Sequence, residues 1–312
     1  MAIKKPNELI TQKQHYNVII AGFPGIGKTQ LGFSAPKPLL INADKGVMRV
    51  PAVFRKDIDD VDTYEELLQD LDNNDLSEYE SIVIDTGGRL LDMMKGWAIR
   101  KDAKNGQTDG NLTLKGYGVV GTEFMRFINH IKYDLNKHCI VLFHAKEEKD
   151  GDVTKLRLLI EGQSKDNVWQ PMDIGGFIEM RGNDRYINFT NNERHFAKGS
   201  FGVKGAYKIP TIDNGGDNNF LTKLFEIMDK YIETDSVSAE HKKAEYDAIM
   251  NEIRPLIDKM TAENIEEVQD AIKNAKHCLT SEIELKTLFK NKLADIGYRY
   301  DVPTAKYVKV EE

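Results

Sequence analysis

Gly22-Phe23-Pro24-Gly25-Ile26-Gly27-Lys28-Thr29 follows directly on the apolar run Val18-Ile19-Ile20-Ala21 and satisfies G-x-x-x-x-G-K-[ST] at every fixed position. Glycines at these positions let the backbone curl around an anion, so that successive N–H groups and the start of the next helix face the phosphates. Lys28 brings a cation to the β and γ oxygens, and the hydroxyl of Thr29 is placed for the magnesium ion that accompanies the nucleotide. The stretch therefore predicts a site for Mg2+ and a nucleoside triphosphate, taken as ATP. Its expected contacts are Gly22, Pro24, Gly25, Ile26, Gly27, Lys28, Thr29 and Gln30.

Outward from this loop, a helix from about Lys28 to Ser34 ends before Pro36 and Pro38, and Leu39-Leu40-Ile41 forms a short buried strand. A helix over Thr63 to Leu71 leads to the strand Ser81-Ile82-Val83-Ile84, which closes on Asp85. A helix from Arg89 to Lys104, a Gly/Asn/Thr-rich loop over 105–115 and a helix carrying Phe124, Phe127, Ile128 and Ile131 precede the strand Cys139 to Phe143. Short continuous apolar strands alternating with helices imply an α/β fold with a mainly parallel sheet flanked by helices. Segments 155–160, 176–180 and 185–190 read as strands without long helices between them, so a mixed edge is expected, followed by a helix over 219–231. From 236 onward three short amphipathic helices are expected. Pro255 is expected to kink or split the first, and Ser281-x-x-Glu284 to cap the third. The resulting division is an N-terminal extension at 1–14, a nucleotide-binding core at 15–235 and a helical segment at 236–312.

Of the 312 residues, 40% are hydrophobic and 30% charged. No run approaches the roughly 20 apolar residues that cross a bilayer, and the basic N-terminus lacks the apolar stretch of a secretory signal. A cytoplasmic protein without membrane contact is expected. Cys139 and Cys278 belong to no disulfide or zinc pattern and read as buried apolar fillers. A net charge of -7 argues against coating nucleic acid by charge alone, and the acidic stretch 57–80 reads as a solvated helix face.

Three further residues end strands near the phosphate loop. Asp85 closes a hydrophobic strand where such a site holds its magnesium through an acid, although Asp-Thr-Gly-Gly also suits a helix N-cap. Asp44, in Asn42-Ala43-Asp44-Lys45-Gly46, is either a carboxylate that orients or deprotonates an attacking water or a turn aspartate. His144 is either a sensor of the γ-phosphate or a satisfied core histidine.

Taken in order, Gly22 to Thr29, Pro38 to Asp44, Ile82 to Thr86 and Val141 to His144 resemble the RecA-like P-loop ATPase core. More closely, they are similar to phage nucleotide-binding proteins of the single-strand annealing recombination group. The resemblance covers residues 15 to about 210. It implies a DNA-stimulated ATPase in the host cytoplasm, with Asp44 as catalytic carboxylate and His144 as sensor, forming a homo-oligomer and acting on single-stranded DNA. Hexameric relatives insert a K-x-R-x-G finger into the neighbouring subunit. Here Lys198-Gly199-Ser200-Phe201-Gly202 keeps the catalytic lysine candidate, Lys198, but carries Ser200 in place of the arginine, leaving Arg194 or Lys204 to substitute. Two basic stretches are either DNA contacts or plain solvated surface: Lys95, Arg100, Lys101 and Lys104, and the aromatic-basic set Phe201, Lys204, Tyr207 and Lys208. The C-terminal helices, outside the resemblance, are candidates for recruiting a recombination or single-strand binding partner protein. Two other readings share the loop: a nucleotide-switched interaction protein with slow hydrolysis, and a small-molecule kinase, which would need an arginine-rich lid.

Overall fold

The computed structural model describes residues 13–151, 153–160, 167–212, 217–301 and 306–309; most of the expected 1–14 extension lies outside them. The strands of the first compact unit, Lys13–Tyr231, are β1 (Asn17–Gly22), β2 (Pro38–Asn42), β3 (Ile58–Asp59), β4 (Ser81–Asp85), β5 (His138–Asp150), β6 (Val153–Leu158), β7 (Ile174–Arg181), β8 (Asp184–Asn188) and β9 (Ala206–Ile209). They form one sheet in the order β3-β2-β4-β5-β1-β7-β8-β9, with β6 paired to β5 off this path. Pairing is parallel from β3 through β7, and β8 and β9 add antiparallel strands at one edge.

The central strands are apolar throughout because both faces are covered. Ile19, Ala21, Ile41, Ile82, Ile84, Val141 and Phe143 pack with residues of α2 (Tyr64–Asn73), α3 (Gly87–Lys101) and α4 (Leu114–Asn129). On the opposite face, α1 (Lys28–Gly32) crosses so closely that a Cβ on Gly32 would stand 2.7 Å from Val83. A second close approach is that of α3 to β5, where a Cβ on Gly87 would meet Phe143 at 2.3 Å and Val141 at 2.6 Å. The Gly87→Ala variant is expected to lose about 1–3 kcal/mol through overpacking, read from its urea midpoint. A variant with the wild-type midpoint would show that the helix shifts freely.

Three local readings need correction. The strand expected over Cys139 to Phe143 does not end there: β5 continues through the polar run Lys146 to Asp150 and pairs antiparallel with β6, from Ala145↔Leu158 to Asp150↔Val153. Hydrogen bonding to one partner, with solvent around the outer residues, dispenses with the apolar alternation by which a strand is recognised. The helix expected over 219–231 does not stop there, because α5 (Phe220–Asp258) is continuous over 39 residues and passes through Pro255, ending a few residues later. Cys139 is fully buried, but Cys278 is only partly so.

The second compact unit comprises Ile232 onward. Ile253, Ile257 and Met260 pack there with Ile265, Val268 and Ile272 of α6 (Ile265–Asn274) and Leu285, Phe289 and Leu293 of α7 (Ser281–Asp295). Thr280, not Ser281, stands at the N-cap of α7. The Ser281 hydroxyl instead accepts the Cys278 N–H, so the expected capping box does not form. A hairpin of β10 (Tyr298–Asp301) and β11 (Lys306–Lys309) completes the unit, with Tyr298 and Tyr307 against its core. Among the described residues no helix is long and apolar enough to cross a membrane.

Candidate nucleotide-binding site

Strand register gathers the sequence candidates. Gly22 lies opposite His144 across β1 and β5, and Asp85 lies opposite Asn42 across β4 and β2. The carboxyl ends of four parallel strands therefore share one edge, where ligands bind in open α/β sheets.

The loop adopts backbone that its glycines permit, with φ of 79° at Gly25 and 88° at Gly27. Gly22 is held to glycine by space, since a Cβ would stand 2.9 Å from Ile26. Lys28 is buried, and its ammonium donates to the Gly22 and Phe23 carbonyls, both at 3.0 Å, and lies 3.1 Å from His144 Nδ1. Burial pulls the Lys28 pKa down to about 8 against the opposing pull of Asp85 and Asp44. Burial, then Lys28, lowers the His144 pKa, so its neutral ring is favoured beside the ammonium.

Thr29 donates its hydroxyl to Asp85 Oδ2 at 2.6 Å. The alternative that Asp85 caps the following helix does not hold, because Thr86 is the N-cap of α3 and accepts the Arg89 N–H. Asp85 is buried; burial pushes its pKa up to about 6, Asp44 adds to the rise, and the Thr29 hydrogen bond and Lys28 oppose it. A buried carboxylate beside a threonine hydroxyl is a hard oxygen pair suited to Mg2+. Among the described residues no group of three or more His, Cys, Asp or Glu could hold a metal by itself.

Asp44 makes the turn contact that the sequence allowed. Its carboxylate accepts the Gly46 N–H at 2.8 Å, a turn contact, and stands 3.8 Å from Arg49 Nη1. Its own N–H donates to the Asp85 carbonyl at 3.1 Å, which ties it to the site edge. Asn42 braces this turn, its side chain accepting the Val47 N–H at 3.4 Å and donating to Asp60. Gln30 presents its carbonyl to the Asn218 side chain at 2.8 Å.

Two arginines near the loop were not legible as site residues. Arg49 lies close enough to act electrostatically on both Asp85 and His144. Arg185, on β8, donates to the Ile26 carbonyl inside the phosphate loop at 3.3 Å. No local motif marks either one.

Lys198 is not brought to this edge in its own chain. Its backbone bridges Gly175 and its ammonium donates to the Met172 carbonyl, just before β7 begins. Because Val18 lies opposite Ile174 in a parallel pair, that is the end of the sheet away from Gly22. Phe201 packs there against Tyr16, at 5.6 Å between ring centroids. Several DNA candidates are engaged internally: Arg100 with Glu65 at 2.7 Å, Lys95 with Asp92 at 3.1 Å, Lys208 with Asp184 at 2.7 Å, and Lys101 over the Trp97 ring at 4.5 Å. In the acidic stretch, Asp62 pairs with Lys45 at 3.0 Å and Glu65 with Arg100.

A family model described as an AAA domain matches residues 14–201, more than half of the chain. No curated protein matches it.

Proposed function

The chain belongs to the AAA-domain family of P-loop ATPases, and from that premise we propose that it hydrolyses Mg·ATP and couples hydrolysis to single-stranded DNA in phage recombination or replication. The observation carrying the hydrolytic part is the contact of Thr29 with Asp85 at the strand edge that also holds Lys28, Asp44 and His144. Thr29 and Asp85 would hold magnesium, which would supply neutralisation of the phosphate charge. Asp44 takes the proton of the attacking water as the water oxygen bonds to the γ-phosphorus and the bond to the bridging oxygen breaks. Lys28 stabilises the charge left on the diphosphate. His144, touching Lys28, registers loss of the γ-phosphate, and β5 carries that signal into the β5–β6 hairpin.

The DNA step, the homo-oligomer and the recombination partner protein rest on the resemblance of the core to phage annealing-group ATPases. Lys198 fits the role of a finger toward a neighbouring subunit, since it faces away from its own phosphate loop. The pairing of Arg100, Lys95 and Lys208 favours a second reading, a nucleotide-switched interaction protein that hydrolyses slowly and leaves DNA alone. Phosphate release measured with and without single-stranded DNA, beside a mobility shift at low salt, separates the two. The first reading expects stimulated turnover and a shift that fades as salt rises. Unstimulated turnover with no shift at low salt leaves the second.

A further inference from the structure

Arg185 reaches the phosphate loop from the side opposite the magnesium pair. Asp85 ends β4, His144 lies within β5 and Asp44 follows β2, all on one side of β1, whereas Arg185 stands on β8, beyond β7 on the other side. Its register partners, Met180 and Ile209, hold it at the end of the sheet that carries the loop. The guanidinium donates to the Ile26 carbonyl at 3.3 Å and to the Pro210 carbonyl at 3.4 Å. It lies against Gly27 so closely that a Cβ there would stand 2.2 Å from Arg185 Nη1 and displace the guanidinium. Gly27 thus admits the arginine as well as adopting a positive φ.

Among the described residues no carboxylate forms an ion pair with the guanidinium, and the Asp184 carboxylate beside it in sequence is taken by Lys208 at 2.7 Å. A half-buried cation with two long bonds to neutral carbonyls is costly, and most of its five donors remain for another acceptor. Its cleft, next to α1, is shared with Gln30, Leu31, Pro210, Asn218 and Asp217, whose carboxylate lines the cleft without pairing with the guanidinium.

On the reading of the loop as an ATP site, we propose that Arg185 is a binding arginine in the same chain, contacting the α-phosphate side of the bound nucleotide. Thr29, Asp85 and Lys28, which would serve the magnesium and the β and γ oxygens, lie on the other side, so Arg185 does not stand in for the arginine that Ser200 replaces. A contact to the α-phosphate is made equally in ATP and ADP.

The experiment measures dissociation constants for Mg·ATP and ADP, steady-state kinetics and the nucleotide-free thermal midpoint for wild type, Arg185→Ala and Arg185→Lys. A charge-assisted contact predicts that Arg185→Ala weakens ATP and ADP alike, by roughly ten- to a hundredfold, with the loss falling on KM rather than on kcat. Arg185→Lys recovers part of the affinity, because the charge stays and the fork is lost. Unchanged affinities overturn the proposal, and so does weakened ATP binding with intact ADP binding, which would put the contact at the γ-phosphate. Affinity lost only in step with a lowered nucleotide-free midpoint in both variants also overturns it, since Arg185 would then be a brace for the loop. Failure of the wild-type chain to bind either nucleotide would instead remove the ATP-site reading beneath it.

Discussion

The Lys28→Met variant is expected to lose ATP turnover by about 10²- to 10³-fold, the usual consequence of deleting one preorganised donor at developing charge. Lys28 is the one residue that touches the loop backbone, at Gly22 and Phe23, and also the sensor candidate His144. Removing it therefore disconnects the two functions as well as the charge. The same substitution carries a pH signature. The Lys28 pKa is 10.5 unperturbed and about 8 in the fold, so between these values the unfolded chain binds more protons than the native one. Stability contributed by this group consequently rises with pH across that window, and the penalty for burying the ammonium is complete below it. Thermal unfolding of wild type from pH 8 to 10, compared with Lys28→Met, should show an upward slope in wild type that the variant lacks. Parallel curves would mean that the ammonium is solvated, and turnover within a few-fold of wild type would remove Lys28 from the phosphate site.

How far the site can be read in advance depends on how local its physics is. Gly22 to Thr29 announce themselves because the phosphate cradle is built from consecutive backbone groups, so its demands for glycine, lysine and a hydroxyl fall at fixed spacing. Asp44, Asp85 and His144 are visible one step less directly: each stands at or just past the end of a short apolar run, and parallel strands bring these ends to one edge whatever the order of strands between. That Asp85 accepts the Thr29 hydroxyl while Thr86, not Asp85, caps α3 depends on geometry that the Asp-Thr-Gly-Gly string leaves open. Arg185 lies beyond this reach altogether. It meets the loop only because β8 turns back antiparallel beside β7, and its place on Gly27 is a steric fact between residues distant in sequence.

The same contrast explains the errors in the fold. Helices and buried strands were legible from apolar periodicity, but the outer half of β5 is polar and α5 is exposed over most of 232–248, so neither carries a burial signal. Pro255 fails to split α5 at its own position, and the helix ends shortly after it, at Asp258. Lys198 illustrates a limit of motif matching. A finger that acts on a neighbour has no reason to approach its own phosphate loop, and in this chain it is anchored at the opposite end of β7.

Asp85→Asn should give the second large effect, and in two directions at once. Turnover in magnesium falls by about 10²- to 10³-fold, because the amide keeps an oxygen for the Thr29 hydroxyl but withdraws the negative charge offered to the ion. The nucleotide-free protein becomes more stable. Burial raises the Asp85 pKa from 3.8 to about 6, so between these values the native chain binds more protons than the unfolded one. Stability therefore falls as pH rises through this window, and the deficit persists at neutral pH, where the carboxylate is charged and buried. Asparagine has no such charge, and its gain at pH 7 is on the order of 2 kcal/mol, corresponding to about 4–8 °C in the thermal midpoint of a unit this size. The gain should shrink as pH is lowered toward 4, where wild-type Asp85 is itself protonated in the fold. A rise in midpoint together with loss of turnover is the pattern of a residue kept for chemistry at the expense of stability. A fall in midpoint would make Asp85 a structural anchor for Thr29, and retained magnesium-dependent turnover would take the metal away from this pair.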